Sequence, residues 1–127
     1  GHRQAWRWAE AVIARVGVRA RGPGQVLRRL SGGNQQKIVL AKWVLTQPRL
    51  LILDSPTVGV DVGAKASIYQ LIHELAREGL SIMLISDEVP EVWHNCDRIL
   101  HFREGTIHAE YQPDRVQEQQ LAEVINA

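Results

Sequence analysis

Two aspartates stand where acidic side chains often handle phosphorylated ligands. Asp54 ends the apolar run LLILD (50–54), and Asp87 follows the apolar run SIMLIS (81–86). Carboxyl ends of parallel strands face one crevice, so we expect the two carboxylates to meet there. A carboxylate leaving a buried strand is costly to keep ionised, and a metal ion held through water is a common solution at phosphate sites. A helix cap or turn aspartate is the alternative for each.

A third stretch, LSGGNQQK (30–37), combines a hydroxyl with a flexible helix entrance. Ser31, Gly32 and Gly33 precede a segment of helical periodicity. Backbone N–H groups at the positive end of a helix dipole suit a phosphate. A capped helix without a ligand explains these residues alone, but their place about twenty residues before LLILD makes the joint pattern much more specific.

The elements that must position these residues follow from periodicity. A helix is expected over 4–16, with Gly17 placed to end it, and a second helix after Gly33, stopped by Pro48. Of the second helix, one face carries Ile38, Ala41, Val44 and Leu45.

The runs 50–54 and 81–86 are continuous and apolar, which predicts strands buried on both faces. Gly79 stands where the helix between them should end. A strand, a helix and a strand in this order form a βαβ unit, so the two strands should be parallel. The apolar positions with helical spacing are Ile68, Leu71, Ile72 and Leu75.

After a short helix over 89–95, the strands RILHF and TIHAEY flank a turn at Gly105, which predicts a hairpin. An amphipathic helix near 114–126 completes an α/β fold.

The composition is that of one soluble domain: 127 residues, 45% of them hydrophobic. No apolar run reaches the roughly 20 residues of a membrane span, and no leader peptide is recognisable. Cys96 is the single cysteine, which predicts a reducing cytoplasm and no internal disulfide. A packing role is expected for this thiol, since no activating neighbour stands beside it.

Charge is unevenly distributed. Residues 1–30 hold seven of the 15 basic residues and one of the 14 acidic residues, Glu10, which leaves eight basic and thirteen acidic residues for the rest. We expect a solvated helix face rather than a nucleic-acid site, because few stacking aromatics interleave the arginines. Binding that weakens steeply with salt would indicate the alternative, a nucleic-acid module. The arginines are Arg3, Arg7, Arg15, Arg19, Arg21, Arg28 and Arg29.

Several aromatic and histidine residues are assigned structural roles. Trp43 is expected in the core, and Trp93 is expected to pack the short helix against the sheet. The spacing of His94, His101 and His108, seven residues apart, invites a metal site, but surface or packing histidines are the simpler interpretation.

Together these motifs resemble those of the ATP-binding-cassette (ABC) ATPases, and more narrowly the second nucleotide-binding half of bacterial monosaccharide-importer ATPases. Residues 30–37 are similar to the signature loop of that family, 50–54 to its Walker B strand and 59–65 to its D-loop and following helix. Residues 84–92 and 97–107 resemble its switch-loop region and the strands after it. The resemblance implies a partial P-loop NTPase fold.

The resemblance also implies roles by position. Asp54 would support Mg²⁺ through water, and Asp61 would be the D-loop aspartate that communicates between two ATP sites. Asn34 replaces a more usual glutamine, as is frequent among the sugar importers. The residues implied to bind the ATP held by an opposite nucleotide-binding domain are Ser31, Gly32, Gly33, Asn34 and Gln35.

One expected motif is absent. A phosphate loop needs G-x-x-x-x-G-K-[ST]; Gly17 and Gly22 have the glycine spacing, but Pro23 and Gly24 follow them. The resemblance therefore implies one partial nucleotide-binding domain, in which 1–46 is a helical-subdomain remnant with the signature helix and 47–127 is the Walker B, D-loop and switch-loop half. Without the phosphate-loop strand, an apolar edge at 81–86 should be exposed. We expect the chain to close this gap internally or to pair with a second copy.

Two further departures concern the catalytic positions. Ser55 occupies the place of the usual glutamate, and a serine hydroxyl cannot accept a proton at neutral pH. Asp87 occupies the place of the switch histidine, where an anion would repel phosphate. The site around Asp54 should therefore turn over slowly, while the signature loop serves a competent site elsewhere.

The resemblance implies an ATP-binding subunit of a sugar importer, peripheral on the cytoplasmic face of the membrane and using ATP and Mg²⁺. Its partners would be a second nucleotide-binding domain, a membrane permease and, indirectly, a periplasmic sugar-binding protein. The 127 residues alone should neither bind ATP tightly nor hydrolyse it. A non-catalytic dimerisation or regulatory module is the alternative, and an intact phosphate loop about a hundred residues upstream would favour the ATPase.

Overall fold

The computed structural model describes residues 2–19, 21–25 and 30–127, with the backbone alone at His2, Ala5 and Trp8. Arg28 and Arg29 of the basic segment lie outside the described residues. Within them the chain forms helices α1 (His2–Val16), α2 (Gly32–Val44), α3 (Val62–Arg77), α4 (Val89–Asn95) and α5 (Glu118–Ile125). The strands are β1 (Leu50–Asp54), β2 (Ser81–Ile85), β3 (Ile99–Arg103) and β4 (Thr106–Tyr111).

The chain divides into two compact units. The first unit comprises residues 1–51 and 56–83, and the second comprises residues 52–55 and 84–127.

The first unit contains α1, α2 and α3 around an apolar core. The stripe expected on α3 is buried, with Ile68 fully inaccessible to solvent. On α2 the most buried side chain is Leu40, at 2% exposure, which the expected face did not include. Trp43 is 52% exposed, so its expected core position is wrong, and Lys42 Nζ lies 5.4 Å from its ring centroid. The wrong assignment arises because Leu40 and Ala41, not Trp43, turn toward the core.

Two glycines end helices of the first unit as expected. Gly17 has φ +65 and Gly79 has φ +99, the left-handed region in which glycine carries no side-chain penalty. After Gly79, the Leu80 N–H donates to the Leu75 carbonyl at 3.2 Å, which closes a Schellman motif. α2 ends at Val44, ahead of Pro48.

β1 and β2 form a two-stranded parallel sheet, as the βαβ pattern predicted. Ser81 N–H donates to the Arg49 carbonyl at 3.3 Å, and Ser55 N–H donates to the Ile85 carbonyl at 2.8 Å, so the strands start and end together. The expected burial on both faces is wrong. Burial alternates along β1, and its outward residues Leu50 and Ile52 are 50% and 56% exposed.

The alternation of burial shows that one face of β1 lies uncovered by the described residues. Within those residues β2 pairs with β1 alone, so the expected internal closure of the β2 edge is not observed. Pairing with a second copy stays a prediction.

The second unit contains the expected hairpin. β3 and β4 pair antiparallel, and the two-residue turn Glu104–Gly105 has φ +50 and φ +78, as a type I′ turn requires. α4 and α5 pack beside it around a cluster of Val89, Ile99 and Leu121. The last helix begins at Glu118, later than the pattern near 114–126 suggested.

Trp93 packs against this cluster and donates from Nε1 to the Val116 carbonyl at 2.9 Å, in line with the expected packing role. Cys96 packs there too. Burial, with Asp97 and Glu91 nearby, raises the pKa of its thiol from 9.0 to about 11, so the expectation of an inert thiol stands. No helix in the described part of the chain has the length and apolar run that a bilayer crossing needs.

Candidate functional site

In the first unit, the candidate site is the N-terminus of α2. Ser31 is its N-cap, with extended backbone angles (φ −60, ψ 157), and its Oγ accepts a hydrogen bond from Asn34 N–H at 3.3 Å. Gln35 N–H donates to the Ser31 carbonyl at 2.9 Å. One serine thus ends the preceding loop and starts the helix, which directs the first-turn N–H groups and the positive end of the helix dipole outward from α2.

Gly33 is buried where α2 approaches α3. A Cβ built on Gly33 would lie 2.4 Å from the Ala64 Cβ, closer than two carbon atoms can come, and 3.6 Å from Val60 Cγ1. At Gly32 the nearest atom would be the Gly59 carbonyl oxygen at an ordinary 3.6 Å. Only the second glycine is therefore required for space, and its small size brings residues 31–34 beside the start of α3.

Asn34 and Gln35 use their side chains locally. Asn34 Oδ1 accepts from Arg19 N–H at 3.2 Å, and Gln35 Nε2 donates to the Leu30 carbonyl at 3.0 Å. The first contact joins the segment after α1 to α2, and the second holds the residue before Ser31. The side chains that the resemblance assigns to a nucleotide therefore bond to backbone groups of this chain.

Asp61 is the N-cap of α3. Its Oδ1 accepts from Ala64 N–H at 2.9 Å, next to the close contact at Gly33. The flanking residues Val58 and Val62 are 74% and 85% exposed. Asp61 therefore places one polar side chain between two exposed apolar side chains. Exposed apolar surface of this kind is typical of protein interfaces.

Lys37 joins α1 to α2, and the sequence analysis did not select it. Its side chain is buried, and Nζ donates to the Gly17 carbonyl at 3.2 Å, joining the end of α1 to α2. In the sequence, Lys37 is marked only by its position one helical turn after the buried Gly33, and periodicity does not distinguish such a lysine from a solvated one.

The second unit holds the end of β1. Asp54 is exposed, while Ser55 adopts φ +50, a conformation that a non-glycine residue rarely takes and that often marks functional sites. Ser55 Oγ donates to Asp54 Oδ1 at 3.2 Å. The hydroxyl is thus engaged with the acid that precedes it.

Asp87 is exposed two residues beyond Ile85, whose carbonyl bonds Ser55. The strand ends that carry the two aspartates therefore lie side by side. The turn around Asp87 is held by Ser86, whose Oγ accepts from Glu88 N–H at 3.0 Å and donates to Glu91. Glu91 is 5% exposed, and the sequence analysis did not select it.

Mg²⁺ is the metal ion that the resemblance implies. Among residues 2–19, 21–25 and 30–127, no three His, Cys, Asp or Glu side chains cluster closely enough to form a metal cage. Mg²⁺ does not need one, because it keeps several waters and uses one or two carboxylates plus phosphate oxygens. The exposed Asp54 carboxylate fits that requirement.

Comparisons with known proteins find similarity to ABC transporter proteins. The ABC transporter family model (ABC_tran) matches residues 2–58. The ribose import ATP-binding protein RbsA of Caldanaerobacter subterraneus subsp. tengcongensis is 47% identical over 110 residues, which cover 87% of this chain and 22% of that protein. The xylose import ATP-binding protein XylG of Geobacillus kaustophilus is 52% identical over 104 residues, covering 82% and 21%. The chain thus spans about a fifth of the length of these relatives.

Solved structures share the fold. CbiO1 of Clostridium perfringens, part of an ABC transporter complex, superposes with a TM-score of 0.79 at 23% identity, covering 99% of this chain and 51% of that one. The ATP-binding cassette MJ1267 superposes with a TM-score of 0.75 at 21% identity, covering 93% and 45%. The α/β fold is therefore that of a P-loop NTPase cassette, and the chain belongs to the family of ABC transporter ATP-binding proteins.

Proposed function

We propose that this chain is part of an ATP-binding subunit that powers sugar import. The observation that carries the proposal is the identity of 47% and 52% with a ribose and a xylose import ATP-binding protein over more than four-fifths of the chain. The sugar itself is chosen by other components of an importer. The parent protein would hydrolyse ATP, whereas residues 1–127 alone would be inactive because they contain no phosphate loop.

The start of α2 would bind the γ-phosphate of ATP held by a second nucleotide-binding domain. The Ser31 hydroxyl and the N–H groups of the first turn supply donors, and the helix dipole favours an anion there. Gly32 is exposed and leaves the backbone there uncovered, whereas the buried Gly33 lets α2 approach α3. The side chains of Asn34 and Gln35 bond the backbone of Arg19 and Leu30. Asp61, with the exposed Val58 and Val62, would contact the partner domain.

The end of β1 would form a second, slower site. Asp54 would orient a water ligand of Mg²⁺, and the ion would neutralise charge on the phosphates. Ser55 gives the attacking water no base, since its hydroxyl donates to Asp54, and a positioned general base is typically worth about 10²–10⁴ in rate. Asp87, at the switch position, adds an anion that disfavours phosphate.

In this proposal 1–46 is the remnant of a helical subdomain with the signature helix, and 47–127 is the catalytic-site half. The partners are a second nucleotide-binding domain and a membrane permease, with a periplasmic sugar-binding protein acting through the permease. The subunit would lie on the cytoplasmic face of the membrane. The proposal includes no nucleic-acid partner, since few stacking aromatics interleave the arginines and Arg15 is paired with Glu78.

The test is a chimera in which the matching segment of the ribose import protein of Caldanaerobacter is replaced by this chain. We expect Ser31→Ala to abolish steady-state ATP turnover and Ser55→Glu to raise it. Ser81→Ala is the control, because Ser81 is an exposed serine at the start of β2, away from the strand end that Asp87 follows. Equal turnover in the chimera and all variants would contradict the asymmetry. No turnover in any of them, with ATP binding and dimerisation intact, would favour the alternative of a non-catalytic dimerisation or regulatory module.

A further inference from the structure

The hairpin of the second unit brings together two histidines that the proposed function does not use. His101 lies on β3 and His108 on β4, and their ring centroids are 5.5 Å apart with the ring planes at 79°. His94, the third histidine of the regular spacing, lies elsewhere and contacts Glu118 Oε2 at 3.3 Å. The His101–His108 pair is therefore separate from His94.

The hairpin is irregular at this point. His101 faces Ala109 and Phe102 faces Ile107, so the register skips His108. A β-bulge of this kind changes the direction of a side chain, and bulges are common beside functional sites. Here the extra residue is the histidine that contacts His101.

One nitrogen of the pair lacks a partner. His101 Nδ1 is buried and makes no hydrogen bond with any described residue. Buried polar atoms in proteins are nearly always satisfied, and an exception calls for an explanation such as a bound ion or water. In the tautomer with its proton on Nε2, this nitrogen carries a lone pair that no described residue uses.

The spacing of the rings suits one metal ion. Imidazole nitrogens bind Zn²⁺ at about 2.0–2.1 Å, so two rings on a tetrahedral ion have centroids about 5 Å apart. The observed 5.5 Å needs little adjustment. Imidazole is a preferred ligand of Zn²⁺, Cu²⁺, Ni²⁺ and Co²⁺ rather than of Mg²⁺ or Ca²⁺.

We propose that His101 and His108 form a binding site for one divalent transition-metal ion of the imidazole-preferring class, with water at the remaining positions. His101 is half-buried and fixed by the strand, while His108 is exposed and leaves the ion open to solvent. The site does not depend on the proposed ATPase function.

The test is titration of the intact chain with Co²⁺, whose visible absorption reports its ligands, followed by displacement with Zn²⁺. All proteins carry His2→Ala to remove a competing histidine. We expect one saturable ion per chain. Removal of a residue that only hydrogen-bonds a metal ligand typically lowers metal affinity about 10–100-fold. Removal of a ligand itself should cost at least as much, so we expect His108→Ala to bind Co²⁺ at least about 10–100-fold more weakly than the parent. His94→Ala is the matched control and should bind like the parent.

His108 is exposed, so its removal leaves the cluster around Leu121 intact. NMR tests whether His101 binds the ion. Bound Co²⁺ should broaden the imidazole signals of His101 and His108 together and leave those of His73 unchanged. Absence of a saturable site in the parent, equal affinity in His108→Ala, or broadening centred on His94 would overturn the proposal.

Discussion

Substitution of Gly33 by alanine is the sharpest test of how α2 and α3 are packed. The new Cβ would stand 2.4 Å from the Ala64 Cβ and 3.6 Å from the Ala64 Cα. The neighbouring atom is a methyl group attached directly to the backbone, so it cannot rotate away. The starts of both helices must shift, and Ser31 and Asp61, which cap them, must shift with them.

Forcing an extra methyl group into a packed contact costs about 1–3 kcal/mol of unfolding free energy. Gly32→Ala is the control, because it changes the same helical turn in the same chemical way while its nearest contact is 3.6 Å. Helix propensity favours alanine in both variants by up to about 1 kcal/mol. The difference between the variants therefore isolates the steric contribution.

Urea denaturation of the parent, Gly33→Ala, Gly32→Ala and the double variant Gly33→Ala/Ala64→Gly measures this contribution. We expect Gly33→Ala to be less stable than Gly32→Ala by about 1–3 kcal/mol, and Ala64→Gly to restore most of the loss caused by the clash. Equal stability of the two single variants, or no rescue by Ala64→Gly, would refute the packing argument.

Other variants test single interactions. Ser55→Gly should be more stable than Ser55→Ala by about 1 kcal/mol in thermal denaturation, because glycine adopts φ +50 without penalty and both variants lose the hydroxyl; equal stability would count against strain at this position. Lys37→Met should lower stability by about 1–3 kcal/mol, since the Gly17 carbonyl loses its donor, whereas the exposed Lys42→Met should change it far less. The Cys96 pKa of about 11, raised from 9.0 chiefly by burial, predicts alkylation at pH 8 about 100-fold slower in the folded than in the urea-unfolded chain. Because the folded thiol keeps its proton while the unfolded thiol loses it, stability should also fall as pH rises from 9.0 to about 11, and pH-independent stability there would contradict a buried thiol.

Helix and strand positions were predictable because their signals are local. The spacing of Ile68, Leu71 and Leu75 identifies α3, and Gly79 identifies its end. The run LLILD coincides with β1. These patterns express propensity and periodicity within a few residues, and packing against other segments does not alter them.

Burial was harder to predict, because it depends on which other segments cover an element. A continuous apolar run is compatible with two buried faces, yet Leu50 and Ile52 are exposed. Trp43, which was expected in the core, is exposed for the same reason. Lys37, for which no burial was predicted, is buried and donates to the Gly17 carbonyl.

The positions of the site residues along the chain were predictable, but the contacts between their side chains were not. The sequence locates Asp54 and Ser55, but it could not show that the serine hydroxyl donates to the aspartate or that Ser55 has a positive φ. The His101–His108 contact arises from a bulge that shifts the register by one residue. Such a shift leaves no trace in the alternation of residue types.

The central claim is that two unequal ATP sites result from an intact signature loop and a degenerate Walker B end. The most direct measurement is a single-turnover phosphate burst from the ribose-importer chimera loaded with ATP at both sites. We predict rapid release of one phosphate for every two ATP bound, because only the site completed by Ser31 has a partner base. Rapid release of both phosphates would contradict the claim and show that Ser55 does not limit the site in this chain.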